Sequence, residues 1–402
     1  MVITMKKIIF IFIFTILLTG CKYNMYEIPD DVKIKTINKS YEVYSKNNML
    51  YDLILEKNVE ILTKNKELNT KKLGENNVTI KIKYKKRTYK YKIKYNVVDT
   101  TKPIYLSVNT NKTILVNEKI DFCNNIVTAD NYDKKVTCKT DGEFDNTKIG
   151  QYKMKYIISD SSNNTNELDY TVNVIESYPK SNSSKSNQSK NNISFNEIID
   201  KYKNENTMIG IDVSRWQEDI DFEKVKDAGC EFVIMRIAIN SDTDKDISTD
   251  TYFNKNIKNA KKAGLKVGVY VYTTAINDKI AKSHAKYVIK ELNKTKLDFP
   301  IAFDWENWSK FDKYNISMYN LTSAYLAFDK EIKKHGYTSM LYSSKYYLEN
   351  IWMYNDEYPV WLAHYIDETG YKGNYIMWQM TNIGEIDGIE GDVDIDIYYK
   401  NK

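Results

Sequence analysis

Residues 300–306 read Pro300-Ile301-Ala302-Phe303-Asp304-Trp305-Glu306, an apolar run that closes on two acids with one tryptophan between them. Side chains on a strand alternate between its two faces, so Asp304 and Glu306 point one way and Trp305 the other. Outward from this stretch, apolar strands alternate with amphipathic helices from Met208 to the end of the chain. Candidate strands are 208–213, 231–237, 266–272, 299–303, 339–342, 359–365, 374–380 and 393–398. Candidate helices are 222–228, 251–263, 278–293 and 317–335, and three of them run into Gly229, Gly264 and Gly336, the residue type that best accepts a left-handed cap. Eight strands with fewer than eight helices over 207–402 imply an irregular β/α barrel of parallel type, whose chemistry sits at the carboxyl ends of the strands.

Acidic residues stand at those ends. Asp212 closes the first strand in Ile209-Gly-Ile-Asp-Val-Ser214, Asp304 and Glu306 close the fourth, and Gly391-Asp-Val-Asp-Ile-Asp396 adds Asp392, Asp394 and Asp396 on one face of the last. Any one of them, taken singly, is more often a solvated loop residue. Three sets at one end of a barrel form a cluster, and clustered carboxylates raise one another's pKa, which keeps a carboxyl protonated and able to act as a general acid. Trp216, Tyr270, Tyr272, Trp361, Tyr365 and Trp378 lie at or near strand ends, where flat rings stack on sugar faces; core packing is the rival reading for each. His284, His335 and His364 are scattered and there is no Cys/His cluster or glycine-rich phosphate loop, so neither a metal nor another cofactor is expected.

Gly210-Ile-Asp-Val-Ser-Arg-Trp-Gln217, Asp219-Ile-Asp-Phe222, Gly229 with Phe232-Val-Ile-Met-Arg236, Ala263-Gly-Leu-Lys-Val-Gly-Val-Tyr270, Asp304-Trp-Glu306, Trp361-Leu-Ala363, Trp378-Gln379 and Val393-Asp394 follow one another in the order and spacing of a known family. Residues 208–399 thus resemble glycoside hydrolase family 25, lysozymes of the N-acetylmuramidase type. The resemblance implies peptidoglycan as substrate and hydrolysis of the β-1,4 bond between N-acetylmuramic acid and N-acetylglucosamine. It implies Glu306 as general acid, with Asp304, Asp212 and Asp394 as the other catalytic carboxylates, and places Gln379 with the aromatic residues among the sugar-binding positions. Direct attack by a carboxylate needs carboxyl groups about 5–5.5 Å apart, and attack by the substrate's own 2-acetamido group is the alternative. Arg215 stands where the family commonly has His, and His364 where many members carry Gln or another polar residue.

The front of the chain is different. Of the 402 residues, 42% are apolar and 28% charged, and the net charge of +5 is split unevenly. Residues 1–207 carry 34 Lys and Arg against 24 Asp and Glu, whereas residues 208–402 carry 25 against 30. Lys6-Lys7 followed by an apolar run from Ile8 to Leu18 is a secretory signal, too short to span a bilayer, which takes about 20 residues. Leu18-Thr19-Gly20-Cys21 resembles the lipobox of bacterial lipoproteins, implying a signal peptide over 1–20, lipidation of Cys21, a tether over 21–29, and an extracytoplasmic protein anchored to the cell membrane by lipid.

Residues 30–98 and 99–176 show the short alternating segments of all-β modules. Asn69-Thr-Lys-Lys-Leu-Gly74 recurs about 76 residues later as Asn146-Thr-Lys-Ile-Gly150, so the two modules are read as tandem sandwiches. The second resembles the immunoglobulin-like repeats of bacterial surface proteins, and the first follows by the repeat. They are expected to act as spacers or as weak wall binders, their lysines facing anionic wall polymers rather than nucleic acid. A disulfide between Cys123 and Cys138 is one of two states open to an exported protein. The Ser/Asn/Lys tract within 177–206 is a linker ending in a short lead-in helix, with Ser194 and Glu197 in the spacing of a capping box. A second functional reading is a non-catalytic wall lipoprotein that keeps the barrel as a glycan receptor.

Overall fold

The computed structural model describes residues 28–179, 192–242, 246–354 and 356–401. The proposed signal peptide, the lipidation position Cys21 and most of the Ser/Asn/Lys linker lie outside these residues. Among the described residues no helix is long and apolar enough to cross a membrane. The chain divides into two compact units, one ending at Asp99 and the other running from Thr100 onward.

The first unit contains β1 (Ile34–Thr36), β2 (Ser40–Glu42), β3 (Ile54–Lys57), β4 (Glu60–Ile61), β5 (Gly74–Tyr84) and β6 (Arg87–Val98). They form a four-stranded sheet in the order β2-β6-β5-β4 and a two-stranded sheet β1-β3. The long strands β5 and β6 form an antiparallel Lys-rich hairpin, with Ile80, Ile82, Tyr89, Ile93 and Tyr95 buried on one face. The second unit opens with β7 (Ile104–Ser107), β8 (Asn111–Leu115), β9 (Val127–Ala129), β10 (Thr137–Asp141), β11 (Gly150–Ser159) and β12 (Thr165–Ile175). Their sheets are β8-β12-β11-β10 and β7-β9, the same plan strand for strand, down to a parallel β2/β6 pair matched by a parallel β8/β12 pair. The sequence repeat is therefore a structural repeat. Cys123 and Cys138 are bonded to each other.

The barrel follows. Its elements are β13 (Ile193–Ser194), α1 (Phe195–Tyr202), β14 (Thr207–Val213), α2 (Phe222–Asp227), β15 (Phe232–Ile239), β16 (Ser248–Thr249), α3 (Phe253–Lys262), β17 (Lys266–Tyr272), α4 (Asp278–Leu292), β18 (Ile301–Asp304), α5 (Phe311–Tyr314), α6 (Met318–Lys334), β19 (Ser339–Ser344), α7 (Lys345–Asn350), β20 (Val360–Ala363), β21 (Met377–Glu385) and β22 (Val393–Tyr399). Strands β14, β15, β17, β18, β19, β20 and β21 run parallel in that spatial order, and β22 closes the ring by pairing with both β14 and β21. The parallel reading is corrected at this last strand. β22 is antiparallel to both neighbours, so its amino end lies level with the carboxyl ends of the others.

Period-two alternation then sorts the side chains. Ile209, Ile211, Val233, Met235, Val267, Val269, Ile301, Phe303, Ile395 and Ile397 face the helices, while Met208, Phe232, Ile234, Ala302, Met340 and Met377 fill the lumen from below. Gly210 and Gly268 are required by this packing, because a Cβ on either would come within 2.5 Å of Phe232 or Ile234. Gly229, Gly264 and Gly336 take positive φ at the helix ends as expected. Two further departures are local. Ser194 is the N-cap of α1 but its side chain makes no cap hydrogen bond, since Ile193 and Ser194 are drawn into pairing with β21. The short helices α5 and α7 carry too few turns to show a period in the sequence.

A disulfide between residues 15 apart restricts the unfolded chain by about 3 kcal/mol. Cys138→Ser should therefore lower the midpoint of denaturant unfolding of β7–β12, followed by their tyrosine fluorescence, without changing the fold seen by circular dichroism.

Candidate active site

A cleft of about 270 Å³ opens at the carboxyl end of the parallel strands, lined by Asp212, Trp216, Arg236, Tyr270, Tyr272, Asp304, Glu306, Tyr342, Trp361, Tyr365, Gln379, Asn382 and Asp394. A larger groove of about 750 Å³ lies at the other end, before β18 and β19, and is lined by Lys290, Lys294, Lys296 and His335 with no carboxylate. The acids expected to cluster are brought together. Asp212 and Asp394 are directly opposed across the β14/β22 pair, and Asp304 stands at the last residue of β18 between Tyr272 and Tyr342. Glu306 follows two residues on and faces the same cleft, while Trp305 is fully buried on the outer side against Trp308 and Phe311.

Burial governs the electrostatics. It pushes the Asp304 carboxyl well above the ordinary range, Glu306 adds to that, and the Arg236 guanidinium opposes it. The Glu306 side chain is open to the cleft mouth, and the loss of part of its solvent still raises its carboxyl. Asp212 is raised by burial and then by the charges of Asp394 and Asp396, and Asp394 is pushed up to about 7 by burial and then by Glu306. The cluster as a whole therefore retains protons at pH values where free carboxyls have lost them.

Hydrogen bonds fix the walls. Gln379 Nε2 donates to Asp212 Oδ2 at 2.7 Å, and Gln379 Oε1 accepts from the phenols of Tyr342 and Tyr365, both at 2.8 Å. Trp361 Nε1 donates to Asp396 Oδ1 at 2.8 Å, and Asp396 is completely buried beneath the cleft. Arg236 is held by Asp250, with Nε and Nη2 each 2.7 Å from the same carboxylate oxygen in a buried ion pair. Asp304 Oδ1 is buried with no hydrogen-bond partner among the described residues.

Of the predicted sugar-contacting rings, Tyr270, Tyr272, Trp361, Tyr365 and Trp216 line the cleft, with Trp216 the most exposed at 71% and covered on one side by Arg215, 4.8 Å from the ring centre. Trp378 is a correction. It neighbours Gln379 on β21, so alternation turns it out of the lumen, where its indole donates to the His364 carbonyl and its ring meets Tyr202 edge-on. Asp392 also departs from the expected row, because it lies just before β22 and accepts from Asn192 instead of facing the cleft. Arg236, Tyr342 and Asn382 are site residues that the sequence reading does not single out, and Asp396, expected in the acidic row, supports the site from below. Strand period alone points to Arg236, two residues beyond lumen-facing Ile234, and to Tyr342, two beyond Met340.

Comparison with known proteins identifies the family of the acidic half. The family model for glycosyl hydrolases of family 25 matches residues 211–389. The Escherichia coli protein YegX is 30% identical over 198 residues, covering 48% of this chain and 70% of its own. The chain belongs to glycosyl hydrolase family 25. An autolytic lysozyme of Clostridium acetobutylicum is 28% identical over 191 residues, 47% of this chain and 55% of its own. Among solved structures, the modular autolysin LytC of Streptococcus pneumoniae, in complex with a synthetic peptidoglycan ligand, aligns with a TM-score of 0.45 at 24% identity, covering 61% of this chain and 56% of that one. The chain thus spans just over half of the autolysin's length. A family 25 glycosyl hydrolase from Bacillus anthracis aligns with a TM-score of 0.43 at 20% identity, over 50% of this chain and 93% of that one. The family match places the glycoside hydrolase domain in the acidic half of the chain.

The carboxylate cluster makes stability fall as pH rises. With its pKa at about 7 in the folded chain against 3.8 when free, Asp394 holds a proton in the native state that the unfolded state lacks between those values. Its full contribution is present below the lower value and is lost as pH rises through the upper one. Asp394→Asn should therefore raise Tm by a few degrees at about pH 8, with the gain shrinking toward zero as the pH is lowered to about 4. Thermal scans across pH read this directly.

Proposed function

We propose that this chain is an extracytoplasmic peptidoglycan hydrolase that cleaves the β-1,4 bond between N-acetylmuramic acid and N-acetylglucosamine, for wall remodelling or lysis. The observation that carries the reading is the convergence of Asp212, Asp304, Glu306 and Asp394 on one open cleft. A glycan receptor gains nothing from crowding four acids together, since each makes the others costlier to ionise. Glu306, its pKa raised by partial loss of solvent, keeps a proton for the glycosidic oxygen as the bond breaks. The aspartates around it supply negative charge toward the positive charge that develops on the sugar, and Trp216 and Tyr365 offer ring faces at the mouth. The name of the clostridial relative, an autolytic lysozyme, supports the same substrate.

The proposal includes export and lipid attachment through Cys21, supported by Lys6-Lys7, the apolar run to Leu18 and the Leu18-Thr19-Gly20-Cys21 stretch. The tandem modules are taken as immunoglobulin-like, a reading supported by their shared two-sheet plan. On the first module Lys81, Lys83, Lys90, Lys92 and Lys94 are all exposed, and Lys81 stands directly opposite Lys90. Like charges so placed repel, which favours an anionic wall polymer as the occupant of that face.

Reducing-end release from purified peptidoglycan by the full-length protein tests the reading. Wild type should release reducing ends. Glu306→Gln should lower kcat by about 10²–10⁴ while glycan binding persists, because only the transferable proton is lost. A wild-type protein that binds the glycan and releases nothing supports the receptor reading instead. The rate should also fall on the alkaline side as Glu306 ionises, in a limb lying above the usual glutamate range of about 4.3.

A further inference from the structure

The second β module does more than follow the first in sequence. Its two-stranded sheet β7/β9 packs on the barrel at the segment that leaves the active site, with β7 against the turn Trp308–Lys310 and β9 against both that turn and α5. Ala129 is buried in the same apolar core as Trp308 and Phe311, and Ile104, Leu106 and Val127 pack against that core. Glu306 lies at the start of this segment. The Trp308 N–H donates to the Glu306 carbonyl at 2.8 Å, and the Trp308 ring stacks on Tyr347 with centroids 3.7 Å apart. The neighbouring Tyr346 hydroxyl donates to the Tyr105 carbonyl of β7 at 3.0 Å.

Polar contacts close the rest of the interface. The Thr128 N–H on β9 donates to Asp312 Oδ1 at 2.9 Å at the exposed edge of the contact. The turn after β9 reaches the start of α6, where the Met318 and Tyr319 N–H groups donate to the Asp130 and Asn131 carbonyls at 2.8 and 3.3 Å. The first four N–H groups of a helix have no partner inside the helix, so the module supplies part of the cap that α6 needs beyond Ser317. Asp130 Oδ1 in turn accepts from the Tyr132 and Asp133 N–H groups, which shapes that turn for the purpose.

We infer that residues 100–176 are part of the catalytic unit, clamping the segment 306–319 so that the acid Glu306 is held in the cleft. This rests on the proposed role of Glu306 and departs from the expectation that both modules are spacers or weak wall binders. A spacer would touch the barrel through solvated linker residues. This module instead buries apolar side chains against it, accepts the helix N–H groups and packs on the turn two residues from the acid. Asp312, Thr128 and Leu106 are positioning residues on this account, since none of them lines the cleft.

The test uses a small soluble peptidoglycan fragment that contains an N-acetylmuramic acid–N-acetylglucosamine β-1,4 bond, so that reach into an intact wall plays no part. Leu106→Asp in the full-length protein places a charge in the apolar contact without touching the interior of the barrel. A variant lacking residues 100–176 removes the contact altogether. Hydrogen exchange at the Met318 and Tyr319 amides reports whether the clamp has opened. The inference predicts faster exchange over 306–319 with unchanged exchange in β14 and β15, a kcat lowered at least tenfold with KM within about twofold, and a displaced alkaline limb of the pH profile. A clamp that only adds stability would lower Tm and leave the pH profile and kcat alone. Either variant turning over the soluble substrate at the wild-type kcat, with those amides exchanging freely, would overturn the inference. If the deletion does not fold, Leu106→Asp decides. Loss of all hydrolysis in the wild type as well would instead count against the proposed reaction.

Discussion

The antiparallel closure by β22 is the constraint on which the site depends. Seven parallel strands bring their carboxyl ends to one rim, and a parallel eighth strand would put its own carboxyl end there too. β22 runs the other way, so residues early in the strand reach the rim, and Asp394 meets Asp212 across a backbone pair. The same strand carries Asp396 one step lower, where Trp361 holds it. From the other side β21 brings Gln379 to Asp212, with Tyr342 and Tyr365 fixing the amide. The acids are thus placed by ladder register and by a hydrogen-bonded wall, both of which are set before any substrate arrives.

That placement explains why the cluster is strained in a useful direction. Backbone pairing and the packed lumen below leave the carboxyls little freedom to move apart, so repulsion and burial are relieved by proton uptake. Arg236, fixed by Asp250, works the other way on Asp304. Burial outweighs that opposition, so the Asp304 carboxyl also stays well above the ordinary range.

Much of this was legible in the sequence because a closed barrel converts strand period directly into geometry. Asp304 and Glu306 two residues apart, with Trp305 turned away, is a reading of alternation alone, and the structure places all three accordingly. Trp378 shows the cost of setting that rule aside: it and Gln379 are adjacent on one strand and cannot both face the lumen. Strand direction was less legible, because hydrophobic period does not distinguish parallel from antiparallel pairing. The contact between β9 and α5 was not legible at all. It joins residues 184 apart in the chain, Thr128 and Asp312, across a linker whose composition gives no sign of docking.

The central claim is that these acids break one particular bond, and the most direct measurement is the identity of the new reducing end. The full-length protein, incubated with purified peptidoglycan in ¹⁸O-labelled water and followed by borohydride reduction and mass spectrometry, should yield fragments ending in reduced N-acetylmuramic acid, with the label at its former anomeric carbon. Fragments ending in reduced N-acetylglucosamine, or products released only by peptide cleavage, would contradict the account.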